Sequence, residues 1–463
     1  MAADPARVAA ALLARCNATG ALELVSCRKV QTLWAGYGFI CEVKAVRKTP
    51  DGREEQVPLI LKLISPPPQQ TKTESDEGHL RKMLSYEVER YFYSTIAPSL
   101  RERDGVAVAE CWATTATPMT SPASTTAAEQ KDGVQDPALH GVLAILMTDL
   151  RIEFPISGEK RSELSERQVH AAIDWLARFH GSTWARSRTE KLGELVLPPL
   201  EEAERRRAKS TGTIGSRVWL NGGYTYLATR RKEFSSLLDQ LDEDDEDEDE
   251  WASALCRPLG NPQKGSPASG GKEPPCVAEM VARVLAPSGE RDCETLIHGD
   301  VKSENLFTTA GHERVAFFDF QYVGLGLGVC DLAKLFTCSV PLHLLVGGPA
   351  EKNRRQASAV IEHEMGMEKG EEVLLRRYHD LLLAVEATPQ GTQGTQGKKV
   401  YDWDLFVRHW ETALVDWHRF QVSWGQWGNV DWLEARVRAV LRDEGWRAWL
   451  RDAFDESCSK PAS

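Results

Sequence analysis

The sequence predicts an α+β protein, and three observations carry that prediction. Short apolar runs of strand length gather in the first third of the chain, at 31–46, 59–64 and 141–150. Helix-period patterns dominate the remainder, and residues 401–450 read as helix crowded with tryptophan. With 463 residues and 42% apolar content, the chain can build a sizeable core as one large or two to three average domains.

Residues 4–16 read as an amphipathic helix with Asp4 as its cap and Pro5 at its first position. Two strands follow over 31–46, joined by a turn at Gly36-Tyr37-Gly38, where backbone without side chains can approach a phosphate group. The same spacing marks ordinary hairpins, and the third glycine of a GxGxxG loop is missing. Leu59–Ile64 is an almost wholly apolar strand with Lys62 at its centre, ended by three prolines. Such a lysine either finds a partner or projects to solvent from an edge strand. The helix predicted over 80–96 offers Glu87 and Glu89. Two positions apart on a helix is about 200°, so only one of them can face Lys62.

Residues 113–140 are rich in Thr, Ser, Ala and Pro and predict a flexible insertion. The apolar run 141–150 is then a strand ending in polar residues. Ser165 and Gln168 form a capping-box pattern at the start of a helix over 165–180, where His180 reads as a satisfied core histidine. A polar helical region over 200–240 leads into the acidic run 242–250, and a Gly/Pro/Ser-rich stretch follows at 257–275. Together they predict a disordered insertion over 241–275 before a helix near 277–286.

The segment 296–321, LIHGDVKSENLFTTAGHERVAFFDFQ, places Asp300, Asn305 and Asp319 around two short apolar strands. Phosphoryl transfer needs one carboxylate to orient and deprotonate an attacking hydroxyl, and oxygen ligands that hold Mg²⁺ against nucleotide phosphates. The bland alternative makes these residues turn formers and helix caps, but it leaves the flanking apolar strands without explanation.

His298-Gly299-Asp300, Lys302, Asn305 and Asp319-Phe320 resemble the catalytic loop and metal-binding strand of the kinase superfamily. Gly299 and Gln321 stand where protein kinases usually carry Arg and Gly, so the closer resemblance is to the aminoglycoside phosphotransferase, choline kinase and ecdysteroid kinase-like families. That resemblance implies a two-lobed protein kinase-like fold, with a small β-sheet N-lobe with one helix over 21–148 and a larger helical C-lobe over 149–455. An N-terminal helix segment (1–20) and a tail (456–463) flank them, and ATP lies between the lobes. It implies that Asp300 takes the acceptor proton, Lys302 offsets charge on the γ-phosphate, and Asn305 and Asp319 bind Mg²⁺. Lys62 then holds the α- and β-phosphates. Its helix partner is Glu89, because Glu89-x-x-x-Tyr93 is similar to an ecdysteroid kinase-like pattern, and Glu87 is left solvated or paired with Lys82 or Arg90. Gly36 and Gly38 fall in the phosphate turn, and Met147, Thr148 and Asp149 at the adenine edge. By the same resemblance His298 braces the loop, and Asp331 anchors the loop backbone, although it also reads as a simple helix cap.

Asp319 and Asp331 are 12 residues apart, too close for a protein kinase activation segment. The expected acceptor is therefore a hydroxyl on a small molecule. Two other readings remain open: a pseudokinase-like scaffold that works by binding, and a protein kinase. In the tail, after a Gly-Thr-Gln-rich linker over 387–399, Trp403, Trp410, Trp417 and Trp424 recur every seven residues and predict one buried helix face. A sharper alternative has some of them line an acceptor pocket with Asp402, Asp404, Glu411 or Asp416.

The net charge of −12 comes mostly from the nine acidic residues 242–250, leaving −3 for the remainder. That balance argues against a nucleic-acid surface; a basic protein partner for the acidic run is the one macromolecular contact it suggests. Ten cysteines without a CxxC pair read as free thiols in a reducing compartment. No apolar run reaches 18 residues and the N-terminus is a poor secretory signal, so the expectation is a cytoplasmic protein with no membrane span.

Overall fold

The computed structural model describes residues 3–16, 22–49, 52–67, 76–115, 139, 141–187, 191–208, 217–241, 249–259, 274–289, 291–347, 361–386 and 401–459. Most of the expected insertion 113–140, the acidic run through 248, most of the Gly/Pro/Ser-rich stretch and the expected linker 387–399 lie outside the described residues. The chain forms two compact units, one of residues 1–155, 196–218 and 318–321, the other of residues 156–195, 219–317 and 322–463. The architecture is α+β as predicted: an antiparallel sheet unit and a larger, mainly helical unit.

The first unit is built on an antiparallel sheet in the order β1-β2-β3-β5-β4. Its strands are β1 (Leu22–Thr32), β2 (Gly38–Lys48), β3 (Glu54–Ile64), β4 (Cys111–Thr114) and β5 (Leu143–Thr148). β3 is the middle strand, which removes the edge-strand reading of Lys62. Alternation along β3 sends Leu59, Leu61 and Leu63 to one face, where they pack with Cys41, Val43, Leu146 and the buried face of the helix Pro5–Leu13. That helix is capped as expected, the Asp4 carboxylate accepting from Ala6 N–H at 3.0 Å. The same alternation turns Ile64 to the opposite face, into a cluster with Tyr37, Met83 and Tyr86 that includes the helix Glu77–Tyr91. Lys62 shares that face by parity.

The helix predicted over 80–96 ends at Tyr91 and continues as a π-type turn, Phe92–Ile96, before Ala97–Asp104, which carries Pro98 in its first turn. Proline has no N–H to continue the α ladder, so the widened turn falls where the bonding pattern must reset. The helix Pro199–Ala208, at the start of the polar helical region expected over 200–240, also belongs to this unit.

In the second unit, β6 (Ile156–Ser157), β8 (Leu306–Thr308) and β9 (Val315–Phe317) form one small sheet, and β7 (Glu294–Ile297) pairs with β10 (Gly324–Leu327). The helix Glu166–Ser187 begins with the predicted capping box, Ser165 N–H donating to Gln168 Oε1 at 2.8 Å and Gln168 N–H to Ser165 Oγ at 3.4 Å. The last two residues of the acidic run are described: Asp249 caps the helix Glu250–Cys256 and Glu250 pairs with Arg438 at 2.7 Å. Acidic side chains are favoured at a helix N-terminus, where Asp249 and Glu250 stand. Among the described residues the tail holds three helices, Trp403–Trp424, Val430–Arg442 and Glu444–Ser459, the last running into the expected tail segment.

Candidate active site

Each unit holds one set of the predicted polar residues. In the first, Lys62 Nζ lies 2.6 Å from Glu89 Oε2 and 2.9 Å from Asp319 Oδ1. Lys62 and Glu89 are both buried. Burial disfavours the ammonium, but Asp319 and then Glu89 overcome it and hold Lys62 above the usual lysine range. Burial pushes the Glu89 carboxyl up to about 7 against the pull of Lys62. Glu87 is buried too, which corrects the expectation of a solvated residue; it pairs with Arg206 at 3.0 Å and also acts on the Arg90 guanidinium, one of its two expected partners. A carboxylate on that side of the helix needs a cation, and Pro199–Ala208 brings one.

Asp319 has φ of 68°, a left-handed conformation that costs an aspartate of the order of 1–3 kcal/mol and commonly marks a functional position. Two neighbours hold it there. Phe320 stacks on Phe92 with ring centroids 3.8 Å apart and meets Tyr93 edge-on at 5.6 Å. Gln321 Nε2 donates to Asp319 Oδ1 at 2.6 Å while its Oε1 accepts from Ser85 Oγ at 3.1 Å. The glutamine that distinguishes this chain from a DFG sequence is thus a bracket between the helix and Asp319.

In the second unit the set is inverted. Asp300 Oδ1 accepts from Lys334 Nζ at 2.6 Å, and Oδ2 accepts from Asn305 Nδ2 at 2.9 Å with Lys302 Nζ 3.2 Å away. Burial would raise this carboxyl, but Lys334 first and Lys302 second hold it well below the usual carboxylate range. Lys302 also reaches Glu304 at 3.3 Å. Asn305 Nδ2 donates to Asp300 O at 2.8 Å, closing the loop on itself.

The helix Gly328–Ser339 clamps this loop from one face. Asp331 accepts from His298 N–H at 2.7 Å and Gly299 N–H at 2.9 Å, and lies inside the helix, which is the anchor reading and removes the simple-cap one. One turn on, Lys334 donates to Gly299 O at 3.3 Å as well as to Asp300. His298 Nδ1 accepts from Asp300 N–H at 3.2 Å, and His180 is a buried structural residue between Tyr378 and Asp331. Gly299 has φ of 81°, and a Cβ there would sit 2.5 Å from Gly223 N and Tyr322 O. No side chain fits, which explains the absence of arginine.

The other predicted positions have local employment. Gly38 has φ of 148° and a Cβ would lie 2.0 Å from Leu63 O, so its glycine is required by β3. Gly36, with φ of 74°, closes the turn. Met147 is buried on β5, Thr148 Oγ1 accepts from Glu110 N–H at 2.9 Å, and Asp149 is held by the Arg151 guanidinium at 2.9 and 2.6 Å. The Asp149 carboxylate is therefore committed to its own turn. Asp402 caps its helix, Glu411 pairs with Arg408 and Asp416 with Arg419, leaving these carboxylates engaged rather than open to a ligand.

Among the described residues no three His, Cys, Asp or Glu side chains gather as a self-sufficient metal site. Asp319 Oδ2 and Asn305 Oδ1 nevertheless accept no hydrogen bond from any described residue, so each keeps a hard oxygen suited to Mg²⁺. Sequence reasoning missed Lys334, Ser85 and Gln321 as parts of these sets. For Lys334 a signal existed: it stands three residues after Asp331, one helical turn, on the face already assigned to the loop.

Residues 122–343 match the model of a phosphotransferase enzyme family, APH. Among solved structures the chain is similar to an aminoglycoside-3'-phosphotransferase of type VIII, with 13% identity over 87% of this chain and 93% of that one and a TM-score of 0.34. It is also similar to an ethanolamine kinase from Plasmodium vivax (13% identity, 95% and 82% covered, TM-score 0.32) and a choline kinase from Streptococcus pneumoniae (11%, 92% and 94%, TM-score 0.30). Likeness at this level transfers neither substrate nor activity. No curated protein is significantly similar in sequence. No helix among the described residues is long and apolar enough to cross a membrane.

Proposed function

We propose that this protein is a small-molecule kinase that moves the γ-phosphate of ATP to a hydroxyl. The observation that carries the reading is Asp300: a buried carboxylate kept ionised by two lysines, on a loop pinned by Asp331, within the segment that the phosphotransferase family model matches. Asp300 orients the acceptor hydroxyl and takes its proton as the new O–P bond forms and the bond from the γ-phosphorus to the β–γ bridging oxygen breaks, releasing ADP. Lys302 offsets charge on the transferring group, and Lys62, held by Glu89, holds the α- and β-phosphates. Asp319 and Asn305 would hold Mg²⁺, which neutralises phosphate charge when bound. Gly36 and Gly38 as phosphate-turn residues, and the backbone around Met147, Thr148 and Asp149 as adenine edge, belong to the same reading. Ten cysteines without a disulfide fit a reducing compartment such as the cytoplasm.

The test is a metabolite extract incubated with ATP, Mg²⁺ and either wild type or Asp300→Asn. A compound gaining one phosphate with wild type alone supports the reading. Identical, background-level extracts, together with equal ATP turnover over a broad hydroxyl panel, would leave the scaffold reading in its place.

A further inference from the structure

Beside Asp300 the second unit holds an aromatic cluster whose faces are already taken. Lys334 Nζ lies 4.5 Å from the Tyr224 ring centroid and 5.4 Å from that of Trp417. The Arg230 guanidinium lies 5.0 Å from Tyr224, 5.7 Å from Phe420 and 4.8 Å from Trp424. Each of these four rings therefore carries a cation supplied by the protein itself. The carboxylates alongside are matched in the same way. Asp300 has Lys334 and Lys302, Glu233 has Arg230 at 3.0 Å, and Asp416 has Arg419 at 2.9 Å. Trp424 is 53% exposed and Tyr224 half-buried, so the cluster meets solvent at one end.

Amines and quaternary ammonium groups are recognised by open aromatic faces or by unpaired carboxylates. Among the described residues here, each of these rings already faces a protein cation, Trp424 at the solvent end included, each of these carboxylates has a cationic partner, and these cations repel a third. We propose that Lys334 and Arg230 are specificity-determining residues that exclude cationic acceptors, so that the hydroxyl this protein phosphorylates belongs to a neutral or anionic compound. The inference rests on the small-molecule kinase reading and narrows its acceptor class. The sharper tryptophan-pocket expectation is thereby reversed in sign: the aromatics beside the base serve the protein's cations.

Calorimetric titration with choline, and with its neutral carbon isostere 3,3-dimethyl-1-butanol, tests this without any turnover. Wild type is expected to bind choline no better than the neutral isostere. Arg230→Met and Lys334→Met vacate aromatic faces and free a carboxylate, and each is expected to strengthen choline binding at least tenfold while leaving the isostere within threefold. Lys334→Met removes a buried charge partner, so if circular dichroism shows it unfolded, Arg230→Met decides, and Trp424→Ala in that background should reverse its gain. Tighter choline than isostere binding by wild type, or no gain in a folded variant, overturns the proposal. Failure of the kinase reading looks different: choline binding shifts as stated, yet no compound in the panel receives phosphate from ATP.

Discussion

The two polar sets are mirror images in charge. In the sheet unit one ammonium, Lys62, stands between two carboxylates; in the helical unit one carboxylate, Asp300, stands between two ammonium groups. The first arrangement carries a surplus negative charge and leaves Asp319 Oδ2 for a hard cation. The second carries a surplus positive charge, which suits phosphate and keeps a base ionised at any ordinary pH. Burial makes both costly to disturb, and the helical set also holds the base.

Breaking the centre of each set compares these consequences. Asp300→Asn removes the base and leaves buried Lys334 without its carboxylate, so turnover is expected to fall by about 10²–10⁴, the usual contribution of a positioned general base, and the urea midpoint to fall as well. Lys62→Met strands buried Glu89, and the expected destabilisation is about 3–5 kcal/mol, with Lys62→Met/Glu89→Gln recovering part of it. Equal urea midpoints for wild type and Lys62→Met would show that the Lys62–Glu89 pair does not hold the sheet unit together. A smaller effect distinguishes the neighbouring glutamates: Glu87→Gln, which weakens the pair with Arg206, should cost about 1–3 kcal/mol and leave kcat unchanged, whereas Glu89→Gln should lower kcat.

The units should also answer acid with opposite sign. Glu89, pushed up to about 7 from 4.5, contributes stability that is full below pH 4.5 and lost as pH rises through 7. His409 and His418 in the helical unit are lowered by burial to about 3, so their contribution is full above pH 6.5 and lost as pH falls towards 3. Both ring nitrogens of His418 are buried without a hydrogen-bond partner among the described residues. Amide exchange, corrected for its intrinsic pH dependence, should therefore loosen around His418 and tighten around Glu89 between pH 7 and 5. His418→Leu should remove its share of the loosening, and an unchanged response in that variant would assign the acid sensitivity elsewhere.

What the sequence disclosed follows the range of the interactions involved. Lys62 at the centre of an apolar strand and the 296–321 segment were legible because periodicity and spacing are local properties. The pair of Glu87 with Arg206 was not legible because that arginine is 119 positions away on a helix with no apolar signal. The tryptophan stripe failed at its end for a geometric reason. A seven-residue repeat drifts about 20° per heptad on a straight helix, so a stripe that buries Trp410 and Trp417 has rotated outward by Trp424, which is 53% exposed. Lys334 was overlooked because the Asp331 helix was read only for its start, and a buried lysine in an apolar run asks for a partner there as it did on β3.

The most direct test of the account is single-turnover transfer from γ-labelled ATP to an identified acceptor, with wild type and Asp300→Asn compared at saturating nucleotide. The account predicts that Asp300→Asn binds ATP within about threefold of wild type, with the transfer step slower by about 10² or more. Transfer by Asp300→Asn at the wild-type rate would contradict it.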